Sequence, residues 1–181
     1  MKEHIPNIVL VGFMGTGKTT VGITVAKHLN REFLDMDHLI EERQNKPVSD
    51  IFAQDGEAFF RTLEHDLAIE LSCQSGLIIG AGGGIVLNPE NISTLASGGI
   101  VICLWASPET IVHRLAADTS RPLLTGDDKL ARIQHILNER IPLYRAIPFH
   151  VNTDNLTADQ VASDVLRIYN ETVRNDTKLQ P

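Results

Sequence analysis

Hydrophobic and polar positions along the 181-residue chain fall into two alternating patterns. Short, continuous apolar runs rich in β-branched residues are separated by longer stretches with helical spacing. The runs predict strands at Ile5–Val11, at a short segment ending near Asp35, at Leu77–Gly80, at Ile100–Trp105 and at Phe149–Asn152. A strand buried on both faces shows an unbroken apolar run rather than alternation. Strands of that kind separated by helices predict βαβ units and a parallel α/β sheet covered on both sides.

Several helix starts are legible. Ser107-Pro108-Glu109 supplies an N-cap, a proline at the first helical position and an acid in the first turn. Thr157-Ala158-Asp159-Gln160 has the spacing of a capping box, with Val161, Val165 and Ile168 following on one face. The pattern weakens after Ile168, so residues 175–181 are expected to form a frayed tail behind a single domain at 1–174. The segment from Ala117 to Lys129 is polar and contains Pro122, Gly126 and three aspartates. A loop of that length inside a compact domain is usually functional or mobile.

Composition narrows the classes of partner. With 16 basic against 23 acidic residues the net charge is −7, which argues against a general nucleic-acid or anionic-membrane binder. An anionic ligand would have to be held by a few placed arginines. Cys73 and Cys103 are far apart and have no metal-spaced partner, as suits a reducing compartment. The apolar stretch Ile8–Met14 is too short for a signal core and follows the acidic Glu3. No run approaches the roughly 18 apolar residues of a bilayer span. A cytoplasmic protein is expected.

The chemistry concentrates in a few motifs. Gly12-Phe13-Met14-Gly15-Thr16-Gly17-Lys18-Thr19 fits G-x-x-x-x-G-K-[ST] between a predicted strand and a predicted helix. Its glycines let successive N–H groups face a phosphate at a helix N-terminus. Lys18 would reach the β- and γ-phosphates, and the Thr19 hydroxyl would ligate Mg²⁺. If the second strand runs on through Asp35 and Asp37, both carboxylates lie on one side of it near the ligand-binding edge of the sheet. One would then support the metal through water while the other takes or orients a hydroxyl proton; the alternative is helix capping by either residue. Gly82-Gly83-Gly84 implies positive φ or close approach of a ligand to the backbone, against a simple flexible loop. Arg61 and Arg140 suit a small carboxylate or phosphate, and Arg114 and Arg121 flank the start of the polar segment; each could equally be a solvated surface charge. The histidines, His38 among them, show no metal or triad spacing.

Taken together these residues resemble the shikimate kinase family. The likeness runs from about Ile8 to Asp154 through G-F-M-G-T-G-K-T, D-M-D at 35–37, I-F-A-Q-D-G-E-A-F-F-R at 51–61, G-G-G at 82–84, R-P-L-L at 121–124 and N-E-R-I-P-L-Y at 138–144. The resemblance implies a P-loop kinase with a three-layer α/β/α fold like that of nucleoside monophosphate kinases. It further implies a five-stranded parallel sheet in the order 2-3-1-4-5, a mobile lid at about 115–128, and a monomer using ATP and Mg²⁺ to phosphorylate the 3-hydroxyl of shikimate on the route to chorismate. It implies that Gly15, Thr16, Gly17, Lys18, Thr19 and Thr20 hold the nucleotide phosphates, with Arg114 against adenine and Arg121 over the phosphates as a lid arginine. Asp37 then meets the reacting hydroxyl, Thr19 and, through water, Asp35 serve Mg²⁺, and Lys18 and Arg121 assist catalysis. Arg61 and Arg140 grip the shikimate carboxylate, Gly82, Gly83 and Gly84 border the substrate, and Phe52, Phe60 and Pro122 form the pocket wall. The chain departs from many members at Ala81, where a Ser or Thr is common before the glycines. Kinases of other small acceptors such as gluconate or a nucleotide stand as alternatives. A GTP switch would need D-x-x-G and N-K-x-D, which this chain lacks. A silent regulator of the same fold would lack one of the expected groups, and all are present.

Overall fold

The computed structural model describes residues 5–115 and 129–179. Strands β1 (Asn7–Val11), β2 (Phe33–Asp35), β3 (Ile78–Gly80), β4 (Gly99–Trp105) and β5 (Phe149–Asn152) form a parallel sheet in the order β2-β3-β1-β4-β5. The central β1 pairs Ile8 with Ile78 on one side and with Ile100 on the other. Alternation along β1 feeds two cores, as strand geometry requires. Ile8 and Leu10 pack with Val21 and Val25 of α1 (Lys18–Leu29) and with Val161 and Val165 of α8 (Ala158–Leu179). Val9 and Val11 face the opposite layer, built from α2 (Met36–Gln44), α3 (Val48–Gln54), α4 (Glu57–Ser72), α5 (Pro89–Gly98), α6 (Pro108–Leu115) and α7 (Lys129–Arg145).

The expected strands lie where the apolar runs put them, within two residues at each end. Continuous burial holds for β1 and β3, but the edge strands differ: β2 is half-buried throughout, and β5 alternates, with Val151 buried between exposed His150 and Asn152. An edge strand has one neighbour fewer and need not be apolar on both faces.

The capping signals are realised. Ser107 Oγ accepts from the Thr110 N–H at 3.2 Å, and Thr157 and Gln160 exchange reciprocal bonds of 2.8 and 3.3 Å. Helix α8 continues past Asn175 to Leu179, beyond the point where fraying was expected. No Gly or Pro interrupts 175–179, so the local signal that stops a helix is missing there even though its apolar stripe has run out. Among the described residues no helix is long and apolar enough to cross a membrane.

Candidate active site

The chemical groups gather where β1, β2 and β3 end, at the carboxyl edge of the sheet, the place where open α/β folds bind ligands. After β1 the chain curls through Gly15 and Gly17, with φ of 78° and 95°, and enters α1 without a side-chain cap. First-turn N–H groups of a helix have no carbonyl partners inside the helix, and at this end they border a loop shaped for an anion. The buried Thr16 pins the loop by donating from Oγ1 to the Phe13 carbonyl at 2.8 Å. Lys18 folds back over it, its Nζ donating to the carbonyls of Gly12 (2.9 Å) and Phe13 (3.1 Å), while Thr20 sits on the exposed side of α1.

Asp35 and Asp37 part company. The strand stops at Asp35, so the expectation that both carboxylates line one side of a continuing strand is corrected. Asp35 is the N-cap of α2, accepting from the N–H groups of Asp37 (3.1 Å) and His38 (3.4 Å), and an N-cap ends a strand because its side chain satisfies the new helix. Its other oxygen accepts from the Thr19 hydroxyl at 2.9 Å, so capping and proximity to the phosphate loop coexist in one residue. Asp37, in the first turn of α2, turns toward the glycine run instead.

None of the three glycines after β3 has positive φ. Their need is close approach by side chains. A Cβ on Gly82 would lie 2.6 Å from Asp37 Oδ1 and 2.9 Å from Glu64 Oε1, and one on Gly84 would overlap the Arg61 guanidinium. The Gly83 carbonyl accepts from Arg140 Nη1 at 3.2 Å and from the Tyr144 hydroxyl at 2.7 Å, fixing α7 to the run.

Arg61 and Arg140 are both brought to this edge. Arg61 lies over the rings of Phe60 (5.3 Å) and Phe52 (5.8 Å), which are themselves 4.8 Å apart, and Arg140 lies over Phe13 at 5.9 Å. Arg61 pairs with Glu57 and, more closely, with Glu64. Burial raises the Glu64 carboxyl above the ordinary range, Arg61 opposes this, and the nearby charge of Asp37 adds to it. Burial works against the Arg61 charge, yet Glu64 and Glu57 outweigh it and hold the guanidinium above its usual value. Burial likewise raises the Tyr144 phenol, and pushes the Cys103 thiol up to about 12, which makes that cysteine inert.

Arg114, in the last turn of α6, donates from Nη1 to the carbonyl of Gly15 (3.2 Å) and the hydroxyl of Thr153 (2.9 Å), and from Nη2 to the Thr153 carbonyl (2.7 Å). It thereby ties the phosphate loop to the turn after β5. Next to it, Asp154 accepts the Ser107 N–H with both oxygens, at 3.0 and 3.1 Å. Arg121 and Pro122 lie outside the described residues.

Glu64, Tyr144, Thr153 and Asp154 escaped the sequence analysis. For Glu64 a signal existed: it falls on the buried stripe Phe60, Glu64, Leu67, Ala68 and Leu71, where a lone acid among apolar positions asks for a partner. Thr153 and Asp154 directly follow β5 at the carboxyl edge, a position that marks them once the strand is located. Tyr144 closes the motif N-E-R-I-P-L-Y one helical turn after Arg140, but a buried helical aromatic reads as core rather than as part of a site.

Among the described residues no group of three or more His, Cys, Asp or Glu could hold a metal ion. The hydroxyl of Thr19 and the carboxylate of Asp35 are a pair of hard oxygens beside the phosphate loop, a donor set that suits Mg²⁺ because that ion keeps several waters and takes the rest of its ligands from substrate phosphates.

A parallel sheet of this order, with a phosphate loop between its first strand and first helix, is the fold of the P-loop kinases. Residues 14–170 match the model of the shikimate kinase family. Shikimate kinase of Thermoanaerobacter pseudethanolicus is 44% identical over 163 residues, spanning 90% of this chain and 95% of that protein. The structure of shikimate kinase from Acinetobacter baumannii in complex with shikimate superposes with a TM-score of 0.87 at 37% identity, covering 93% of this chain and 94% of the other. That of Bacteroides thetaiotaomicron gives 0.83 at 32% identity over 93% and 98%. The chain belongs to the shikimate kinase family.

Proposed function

We propose that this enzyme transfers the γ-phosphate of ATP to the 3-hydroxyl of shikimate, yielding shikimate 3-phosphate and ADP on the route to chorismate and the aromatic amino acids. The observation that carries the reading is the convergence at one sheet edge of a phosphate loop, the Asp37 carboxylate and the two arginines Arg61 and Arg140, in a chain of this family. The loop N–H groups and Lys18 bind the β- and γ-phosphates. Thr19 and, through water, Asp35 would hold Mg²⁺, whose charge offsets that of the phosphates. Arg61 and Arg140 bind the carboxylate of the acceptor, a pairing that suits a small acid better than a nucleotide base.

Asp37 accepts or orients the proton of the reacting hydroxyl. That oxygen forms its bond to the γ-phosphorus, the bond to the β–γ bridging oxygen breaks, and the electron pair leaves with ADP. Little further chemistry is required, since positioning and electrostatic stabilisation dominate phosphoryl transfer. Arg114, anchored to Gly15 and Thr153, is the residue that lies against adenine. The same reading has the enzyme acting as a cytoplasmic monomer on small molecules, and its net charge of −7 supports the part of it that excludes nucleic acid and anionic membrane as partners.

ADP release from ATP and Mg²⁺ in the presence of shikimate, quinate, gluconate, a nucleoside monophosphate panel or no acceptor tests it. Release dependent on shikimate is the expected result. Release dependent on a nucleoside monophosphate would keep the kinase and overturn the carboxylate assignment, whereas release dependent on quinate or gluconate, which are carboxylates too, would keep both and replace shikimate as the acceptor.

A further inference from the structure

Arg61 holds two carboxylates of its own helix, and they differ in kind. Glu64, with 1% of its side chain exposed, pairs with Nη1 and is fixed inside the protein. Glu57 has 60% of its side chain exposed and accepts from both Nε (3.2 Å) and Nη2 (2.9 Å) through the single oxygen Oε1. The faces of Phe60 and Phe52, 5.3 and 5.8 Å from the guanidinium carbon, together with Glu64, set where Arg61 lies; Glu57 covers its remaining outer edge.

We infer that Glu57 is an internal occupant of the substrate-carboxylate site, exchanged for the carboxylate of the incoming acid. The inference rests on the reading of Arg61 as half of the carboxylate clamp. With Glu57 and Glu64 both in place, one positive charge already has two negative partners, and a third carboxylate would be repelled. Release of Glu57 removes that repulsion at little cost, because an exposed ion pair contributes little and the freed carboxylate regains water. Glu57 also keeps a favourable position after release, in the first turn of a helix whose N-cap is Gly56 and which has no side-chain cap. Space is available for the movement, since the 60% exposure of the Glu57 side chain leaves its carboxylate bordered by solvent.

The substrate wins the exchange through its second partner. Among the described residues Glu57 is bound by Arg61 alone, whereas the acceptor's carboxylate engages Arg61 and Arg140 together. An acid able to reach only Arg61 would gain no more than Glu57 already has. Glu57 therefore acts as a filter against small carboxylates of the wrong shape.

Glu57→Gln removes the competing charge at an exposed site. The KM for shikimate should fall about two- to five-fold, the worth of an exposed ion pair, with the KM for ATP unchanged. Inhibition by the methyl ester of shikimate, which has no carboxylate charge, should stay the same. A KM for shikimate that rises or stays constant overturns the exchange, as does an equal tightening of the methyl ester. Arg61→Ala separates this from the underlying reading: if it leaves the KM for shikimate unchanged, the carboxylate clamp itself fails. A large rise there, with no fall in Glu57→Gln, overturns the exchange alone.

Discussion

The Thr19 hydroxyl donates to Asp35 Oδ2 at 2.9 Å, joining the first turn of α1 to the end of β2. Asp35 also caps α2, so its two duties can be separated by substitution. Asn caps nearly as well as Asp but lacks the charge that favours a cation. Asp35→Asn should melt close to wild type while requiring more Mg²⁺ for half-maximal activity. Asp35→Ala should show the same Mg²⁺ effect and in addition lose about 0.5–2 kcal/mol of stability. Thermal melts and Mg²⁺ titrations of activity decide between the two.

Asp37→Asn keeps the shape of the side chain but loses a charged acceptor for the hydroxyl proton. A drop in kcat of about 10²–10⁴-fold is expected, the usual worth of a general base, with ATP affinity retained in a binding titration. Near-normal turnover would remove Asp37 from the proton's path.

Loss of either arginine should appear in shikimate binding. Arg140→Ala deletes a charge-assisted bond worth about 1.5–3 kcal/mol, so KM for shikimate should rise at least ten-fold, with KM for ATP little changed. Tyr144→Phe removes the 2.7 Å bond to the Gly83 carbonyl and should weaken shikimate binding by a smaller margin, about 1 kcal/mol. Steady-state kinetics with each substrate varied in turn provides the check.

The two outer glycines of the run predict a loss of activity without loss of fold. In Gly82→Ala the new methyl group would press on the tips of Asp37 and Glu64, and in Gly84→Ala on the tip of Arg61. Side-chain tips can move aside, so the protein should stay folded while kcat/KM for shikimate falls. Gly12→Ala should behave differently, since its methyl group would collide with the Leu104 backbone carbonyl, and a soluble, folded product is not expected. Circular dichroism alongside activity distinguishes these outcomes.

Two carboxyl groups should shape stability against pH with opposite signs. Burial holds the folded-state Glu64 carboxyl above its ordinary value of 4.5, so the folded state binds the extra proton and stability declines as pH rises through and above that value. Asp154 is the reverse: burial opposes its charge, but bonds from Thr110 and Ser107 and the charge of Arg114 hold it below 3.8. Its contribution is present above 3.8 and is lost as pH falls through the lower folded-state value. In melts across the acidic range, Glu64→Gln should remove the first slope and Asp154→Asn the second.

Much of this arrangement could be read from the sequence, because its strongest signals are local. The glycine-rich loop, the capping motifs at Ser107 and Thr157 and the apolar runs each record a constraint between residues close in the chain, and each appears in the structure where the pattern placed it. The limits of α8 were less clear because a helix end without Gly or Pro carries no local mark.

The strands and the phosphate loop follow from local patterns in the chain, because backbone conformation and apolar periodicity are set by near neighbours, and the same motifs carry the residue types of the candidate site. Folding in three dimensions settled what depends on long-range contact. It split Asp35 from Asp37, gave Gly82 and Gly84 their role as clearance for Asp37, Glu64 and Arg61, and brought Tyr144 and Arg140 to the Gly83 carbonyl across 61 and 57 positions. It also brought Asp37 of α2 close to the buried Glu64, whose pairing with Arg61 three positions earlier on α4 is local.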